Sequence, residues 1–481
     1  MPPSTQAVLS TSTSVDRLSA PINHRRPPRR WPASLAALEV RNYRLFLGAQ
    51  AIGSVGGWMQ RVAQDWMVLQ LTGSVAMVGL VVALQFLPFL LFGLFSGVIA
   101  DRYPKKRILQ VTQAAAALCA LVLGVLALTG TAQAWHVFVI AFVLGVVMVI
   151  DNPARSALVT ELVGAERIRN AVSLNSSVFH SAALVGPALS GILIGTLGLG
   201  WSFIANAVAT AAVVVVISMI RPAISQLPTA ASRAKGQLRQ GLAYIRRTSE
   251  IRWALVLLAV AGFLTMNIPV VVTAFSTQVF DLGVNGYSLL ISLNAVGALS
   301  GALLSAGRKK ALRLRELAAL LGLLGLLIAV GSQMPNGGLY GLTLVAGGLV
   351  SLTFLIGANT LVQTASAPAL RGRVMAVYIL VQMGMQALGS PILGFAMDTI
   401  GPRTTVLISG LATLALAGAL ALAMARQSNL SLGVAPVRRA DLHLDPLKLG
   451  RATVRGVTPR TLRRLVPLEI VPARPRPRHA S

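Results

Sequence analysis

What this chain lacks narrows its class quickly. It has one cysteine, Cys119, inside an apolar run, which excludes an internal disulfide framework and a multi-cysteine metal site. Its five histidines are scattered and give no His-x-x-x-His pair, so no metal is expected. Charged residues make up 12%, about half the share of a soluble domain. Acids are scarcer still, 14 against 42 Lys and Arg. There is no Gly-x-x-x-x-Gly-Lys-Ser/Thr loop to cradle phosphates, and no Ser and His are ordered as a nucleophile pair. Direct ATP drive, a bound cofactor and enzymatic chemistry are therefore not expected. The first 30 residues are polar and carry Arg25, Arg26, Arg29 and Arg30, without the apolar core or cleavage site of a secretory signal.

Apolar length is abundant. Hydrophobic residues reach 55% and mean hydropathy is +0.72. The sequence divides into twelve apolar stretches, each near the ~20 residues that cross a bilayer as a helix. Six run from Tyr43 to Leu71, Val75 to Ala100, Ile108 to Leu128, Trp135 to Asn152, Asn170 to Thr196 and Trp201 to Ile220. Six more lie at 253–277, 286–307, 313–332, 338–360, 373–397 and 404–425. About forty of the 42 Lys and Arg sit in the two tails and in alternate gaps. Cytoplasmic loops retain Lys and Arg whereas translocated loops lose them, so both termini are expected in the cytoplasm. The net charge of +28 does not point to nucleic acid, because the cations alternate with apolar spans and form no aromatic-interleaved platform. Anionic lipid headgroups are the expected partners of the basic loops and tails.

The chain is thus expected to hold a basic tail (1–42), a six-helix bundle (43–220), a basic linker (221–252), a second bundle (253–426) and an Arg- and Pro-rich tail (427–481). A shift of 204 residues places Gly97 on Gly301, Lys105 on Lys309, Arg167 on Arg371, Arg169 on Arg373 and Pro187 on Pro391. A repeat of this kind implies two bundles related by an axis along the membrane normal, with polar sites at their interface. The predicted fold class is all-α: a polytopic membrane protein with twelve transmembrane helices in two pseudo-symmetric six-helix bundles.

Arg61 and Asp65 fall four residues apart on one face of the first span, deep in the membrane. A charge there costs at least about 2.5–3.5 kcal/mol, so it raises a functional reading by default. Two readings stay open: Asp65 takes up and releases a proton beside Arg61, which is its charge partner or a contact for anionic substrate, or the two form a permanent intrahelical ion pair. Gln60, Gln64 and Gln85 can add cavity hydrogen bonds. His180, near Asn175, suits either a proton relay or an interhelical hydrogen bond. Lys106 is read as a solvated cation placed by topology.

The segment Gly97-x-x-x-Asp101-Arg102-x-x-Lys105-Lys106 resembles the signature loop of the major facilitator superfamily. Trp58-x-x-Arg61-x-x-x-Asp65-Trp66 and Asp151-x-x-x-Arg155 are similar to its drug- and siderophore-exporter branch, the enterobactin-type and transmembrane secretion effector-like group. The resemblance implies secondary transport of a small-molecule substrate driven by a proton gradient, in a bacterial cytoplasmic membrane, by a protein expected to be a monomer. Export is the expected direction. Import by the same cycle and a non-transporting scaffold or sensor are the alternatives. It also implies a latch in which Asp101 sits at the N-terminus of the eleventh helix near Arg373. Lys105 is expected to pair with Asp151 at the end of the fourth span, close to Arg155. Gly186-Pro187-x-x-x-Gly191 looks like the tail of an antiporter signature, giving close packing and a kink.

Overall fold

The computed structural model describes residues 32–220, 237–308, 310–368 and 370–427, without the side chains of 33, 34, 94–98, 100, 101, 165, 237–239 and 427. The linker residues 221–236, both outer tails, Lys309 and the side chains of Gly97 and Asp101 lie outside the described residues. The first half is built from α1 (Arg41–Thr72), α2 (Val75–Arg102), α3 (Lys105–Leu128), α4 (Ala134–Val163), α5 (Ile168–Leu197) and α6 (Leu199–Met219). A short α7 (Gln237–Arg247) follows. The second half holds α8 (Ser249–Leu264), α9 (Ile268–Ala274), α10 (Gly283–Ala306), α11 (Leu314–Ser332), α12 (Gly337–Ala365), α13 (Arg371–Ile400) and α14 (Pro402–Gln427). Among the described residues every regular element is helical.

Eleven segments are long and apolar enough to cross a membrane, α8 and α9 counting together as Ser249–Val279. The first expected span, α1, falls short in apolarity because Gln50, Gln60, Arg61, Gln64 and Asp65 lie along it. At 32 residues it is about 48 Å long, and its polar side chains turn inward, with Gln60, Gln64 and Asp65 all buried. Polar burial against neighbours, not apolarity, makes it the twelfth span. Elsewhere Val111, Leu118, Ile192, Val208, Leu303 and Phe395 stand exposed on outer faces, as lipid contact requires.

Two expected spans differ in form. The fourth does not stop at Asn152: α4 continues through Pro153 to Val163. A proline removes one ladder bond, which membrane helices tolerate where neighbours satisfy the freed carbonyl. The seventh is broken between α8 and α9 at Thr265–Asn267, just before Pro269, and ends in a π-turn over Phe275–Val279. Lys106 is not merely solvated. Its ammonium donates to the Ser218 and Ile220 carbonyls at 2.8 Å each and closes the C-terminal end of α6.

Helix neighbours repeat between the halves. In the first, α2 packs on α4, α3 on α6, and α1 on α5 and α6; in the second, α10 packs on α12, α11 on α14, and α8 on α13. The halves meet along α2–α13 and α5–α10. Both described ends lie on one face, here the terminal face; turns such as Gly73, Gly130 and Gly401 mark the far face. Near the terminal face each half has its own apolar core, one around Tyr43, Leu109 and Ile217, the other around Leu257, Leu321 and Phe354. Near the far face one core joins both halves, with Val62, Trp66, Val75 and Val82 packed among Phe275, Tyr287, Tyr340 and Met397. The halves are therefore sealed together at the far face. The Gly79 Cα faces the Ser390 carbonyl so closely that a methyl would overlap it, which explains how α2 and α13 come together there.

Candidate functional site

Helix α1 carries Asp65 into the inner edge of the far-face seal, about 10 Å before its end at Thr72. Asp65 is 3% exposed. Its Oδ2 accepts a hydrogen bond from the Tyr287 hydroxyl of α10 at 2.9 Å, while Oδ1 has no partner in the protein. Trp66 stacks on the Tyr287 ring, with centroids 6.2 Å apart, and holds it in place. This bond crosses from one half to the other. Arg61, one turn below, forms no direct ion pair with Asp65, one of the two open readings: no nitrogen–oxygen contact between them falls within 4.0 Å. Its guanidinium donates to the Met148 thioether at 3.6 Å and lies 4.7 Å from the centre of the Trp58 ring. Both line the cavity between the halves, but Arg61 reaches toward Met148 of α4 and Asp65 toward Tyr287 of α10.

Two cavities meet at these residues. One, of about 340 Å³, lies between the halves. Its wall is mostly apolar, with Ile291, Leu324, Leu344 and Leu352, and it reaches Asp65 and Tyr287. The other, of about 490 Å³, lies inside the first half and is lined by Gln60, Gln64, Gln113, Asp151, Arg155 and Asn175. Trp58, Arg61, Gln85, Phe179 and His180 line both. The structure thus gathers the expected Asp65, Arg61, Gln64, Gln85, His180 and Asn175 around two cavities that share a wall. Gln64 donates to the Val137 carbonyl at 3.4 Å, and its Oε1 has no partner. Gln60 accepts from the Asn206 amide, leaving its own Nε2 without one. His180 packs edge-on to Phe179.

The expected latch pairing is corrected. Lys105 does not meet Asp151; it bonds Glu161 at 3.0 Å. The extension of α4 to Val163 brings Glu161 level with the start of α3 and leaves Asp151 twelve residues inside the helix. There Asp151 holds Arg155 at 2.6 Å and accepts from Thr112 and Gln113 at 2.8 Å each, so its charge is fully met. Arg102 is exposed at the end of α2. Arg373 donates to Gln240 of α7 at 2.7 Å, which ties the short helix to α13.

Gly186 lies against α1, at the Val55 and Met59 backbone and the Trp58 Cβ, and Gly191 lies against Ser288 of α10, so the Gly186–Pro187–Gly191 segment serves two contacts at once. Three features were not read from the sequence. Tyr287 is one. Asp398 is another: its carboxylate accepts from Ser74 Oγ at 2.6 Å and from the Val75 and Ala76 amides at 3.1 and 2.9 Å, capping α2 from the other half. The third is the open turn at Thr265–Asn267. The Met266 carbonyl accepts from Gln386 at 2.8 Å, the Leu264 carbonyl from Ser409 at 2.7 Å, and Asn267 bonds Phe263 and Ser390. Only the Asn267-x-Pro269 spelling hinted at the break.

Residues 32–448 match the transmembrane secretion effector family. The staphyloferrin A transporter of Staphylococcus aureus (strain NCTC 8325 / PS 47) is 24% identical over 374 residues, which cover 77% of this chain and 93% of the relative. The multidrug efflux pump Tap of Mycolicibacterium fortuitum is 27% identical over 406 residues, covering 82% and 98%. In fold, the chain resembles a bacterial homologue of the human lysosomal transporter spinster, with a TM-score of 0.65 at 12% identity over 82% of this chain and 98% of that one. The relatives are transporters and not enzymes.

Proposed function

We propose, for a chain that belongs to the transmembrane secretion effector family of major facilitator transporters, proton-coupled efflux of a small amphipathic molecule by alternating access. The protein sits in a bacterial plasma membrane with its terminal face, and both tails, in the cytoplasm; the concentration of Lys and Arg on that face supports the orientation. Its basic loops rest on anionic headgroups there.

One observation carries the reading: the Tyr287–Asp65 bond, which joins the halves at the floor of the cavity they share. A hydrogen bond to a carboxylate is roughly twice as strong as one between neutral groups. Ionised Asp65 therefore favours the sealed far face, and a proton on Asp65 weakens that hold. Substrate enters the cavity from the terminal face and is released beyond the seal once the halves rock. Asp65 takes a proton from the far side and returns it to the cytoplasm when the seal reforms. Substrate and proton thus alternate at one place, and the gradient sets the direction.

The test uses the full chain in inverted vesicles with an imposed proton gradient, screened against siderophores and antibiotics. Asp65→Asn keeps the size and hydrogen bonding of the side chain but carries no exchangeable charge. Gradient-driven accumulation is expected to vanish while substrate exchange without a gradient persists. Full gradient-driven transport by Asp65→Asn would remove Asp65 as the coupling group.

A further inference from the structure

Arg61 is a cation that no carboxylate oxygen among the described residues approaches within 4.0 Å; its nearest acid, Asp65, lies one turn away with Oδ2 bonded and Oδ1 open. Among the described residues, Asp151 is matched by Arg155, Glu161 by Lys105 and Glu39 by Arg167. Asp65 turns its Oδ2 to Tyr287. What Arg61 touches instead is soft: a thioether sulfur at 3.6 Å and an indole face at 4.7 Å. A thioether is a weak acceptor, and the half-buried guanidinium faces both cavities. The guanidinium presents a planar fork of donors that matches a carboxylate in two parallel bonds.

We propose that the transported molecule is an amphipathic anion. Its carboxylate head is held by Arg61 where the two cavities meet, and its apolar body lies in the cavity between the halves. The inference rests on the transport reading above and specifies its substrate class.

The surroundings fit such a molecule part by part. Gln60, 4% exposed, has an unpartnered Nε2 on the polar cavity that Arg61 also lines, and it supplies a second donor for the head. Gln64, 1% exposed, has an unpartnered Oε1 that accepts from a hydroxyl or amide of the ligand. Trp58 and Phe179, edge to face at 5.8 Å, line both cavities and suit a flat ring. Beyond them the wall is Ile291, Leu324 and Leu352. A cationic ligand in the same place would be repelled by Arg61 and would have to compete with Tyr287 for Asp65.

The experiment compares near-isosteric probes on the purified full chain in nanodiscs of uncharged phosphatidylcholine. Calorimetric titration of 1-naphthoate is set against 1-naphthamide and 1-naphthylmethylammonium, with empty nanodiscs subtracted. The carboxylate is expected to bind at least tenfold more tightly than either. Arg61→Gln is expected to erase that preference and Arg61→Lys to keep part of it. The net charge of +28 attracts any anion weakly, but Arg61→Gln changes it by a single unit, so loss of the preference reports the cavity and not the surface. Equal binding of the three probes, tighter binding of the amine, no binding of the carboxylate, or an unchanged preference in Arg61→Gln would each overturn the proposal. Charge-blind binding together with intact gradient-driven efflux would remove the anion and leave the transport reading in place. Anion-selective binding without gradient-driven movement would do the opposite.

Discussion

The two halves share one backbone plan and place different chemistry at its centre. Positions 204 apart hold Arg61 and Thr265, Asp65 and Pro269, Asp151 and Leu355, Arg155 and Asn359, His180 and Gly384. In the first half α1 runs unbroken and carries charge into the membrane. In the second, the corresponding span opens at Thr265–Asn267, and Gln386, Ser409 and Ser390 satisfy the polar groups it frees. Every ionisable group named around the cavities except Tyr287 and Tyr340 belongs to the first half. A repeat in sequence thus preserves which helices touch and leaves the polar interior free to diverge. One half holds the charges; the other offers neutral hydrogen bonds, a break that can bend, and the hydroxyl that reads Asp65.

The largest effect that separates the halves is expected at Arg155. Arg155→Ala strips Asp151 of its cation inside the membrane, a loss of about 3–5 kcal/mol for a mostly buried pair. Thermal unfolding of the full chain should show it, and adding Asp151→Asn should recover more than half. The matched change in the second half, Asn359→Ala, should stay within about 0.5 kcal/mol. Equal losses at both positions would mean that the halves do not differ in how they hold charge.

A smaller effect is expected where the halves meet. Tyr287→Phe leaves Asp65 Oδ2 without its donor and costs the sealed state about 1–3 kcal/mol. With Cys119 replaced by Ala, a cysteine at Ile291 should then react about tenfold faster with an impermeant reagent added from the far face. An unchanged rate would show that apolar packing alone keeps the seal. The smallest effect belongs to Asp398→Ala. Its cap on α2 is exposed to solvent and screened by salt, so the same labelling rate should rise only about twofold.

Much of the fold was legible because its signals are local. Apolar runs and the alternation of Lys and Arg between them place the spans, and matched residues such as Pro187 and Pro391 expose the repeat. Arg61 and Asp65 stood out since charge is scarce in the membrane. Their partners did not, because the partners lie far along the chain. Tyr287 is 222 residues from Asp65, and Asp398 is 323 from the Val75 amide it caps. Four-residue spacing put Arg61 and Asp65 on one face and left a direct ion pair open, but contacts with different helices, α4 for Arg61 and α10 for Asp65, turn the side chains apart. The mispairing of Lys105 has one cause. The apolar run ends at Asn152, but α4 continues through Pro153, and a partner about three turns beyond Asp151, Glu161, becomes available.

The core that joins the halves at the far face is built of Val, Leu, Ile and aromatic side chains, with the Tyr287–Asp65 bond among them. Parting it would wet a wide apolar surface, and hydration of such surface raises heat capacity. The equilibrium between the sealed and opened far face therefore bends with temperature and does not follow a straight van 't Hoff line. Apolar association weakens on cooling, so the closure that guards the pathway loosens as the membrane chills, at the temperatures where the surrounding lipid stiffens.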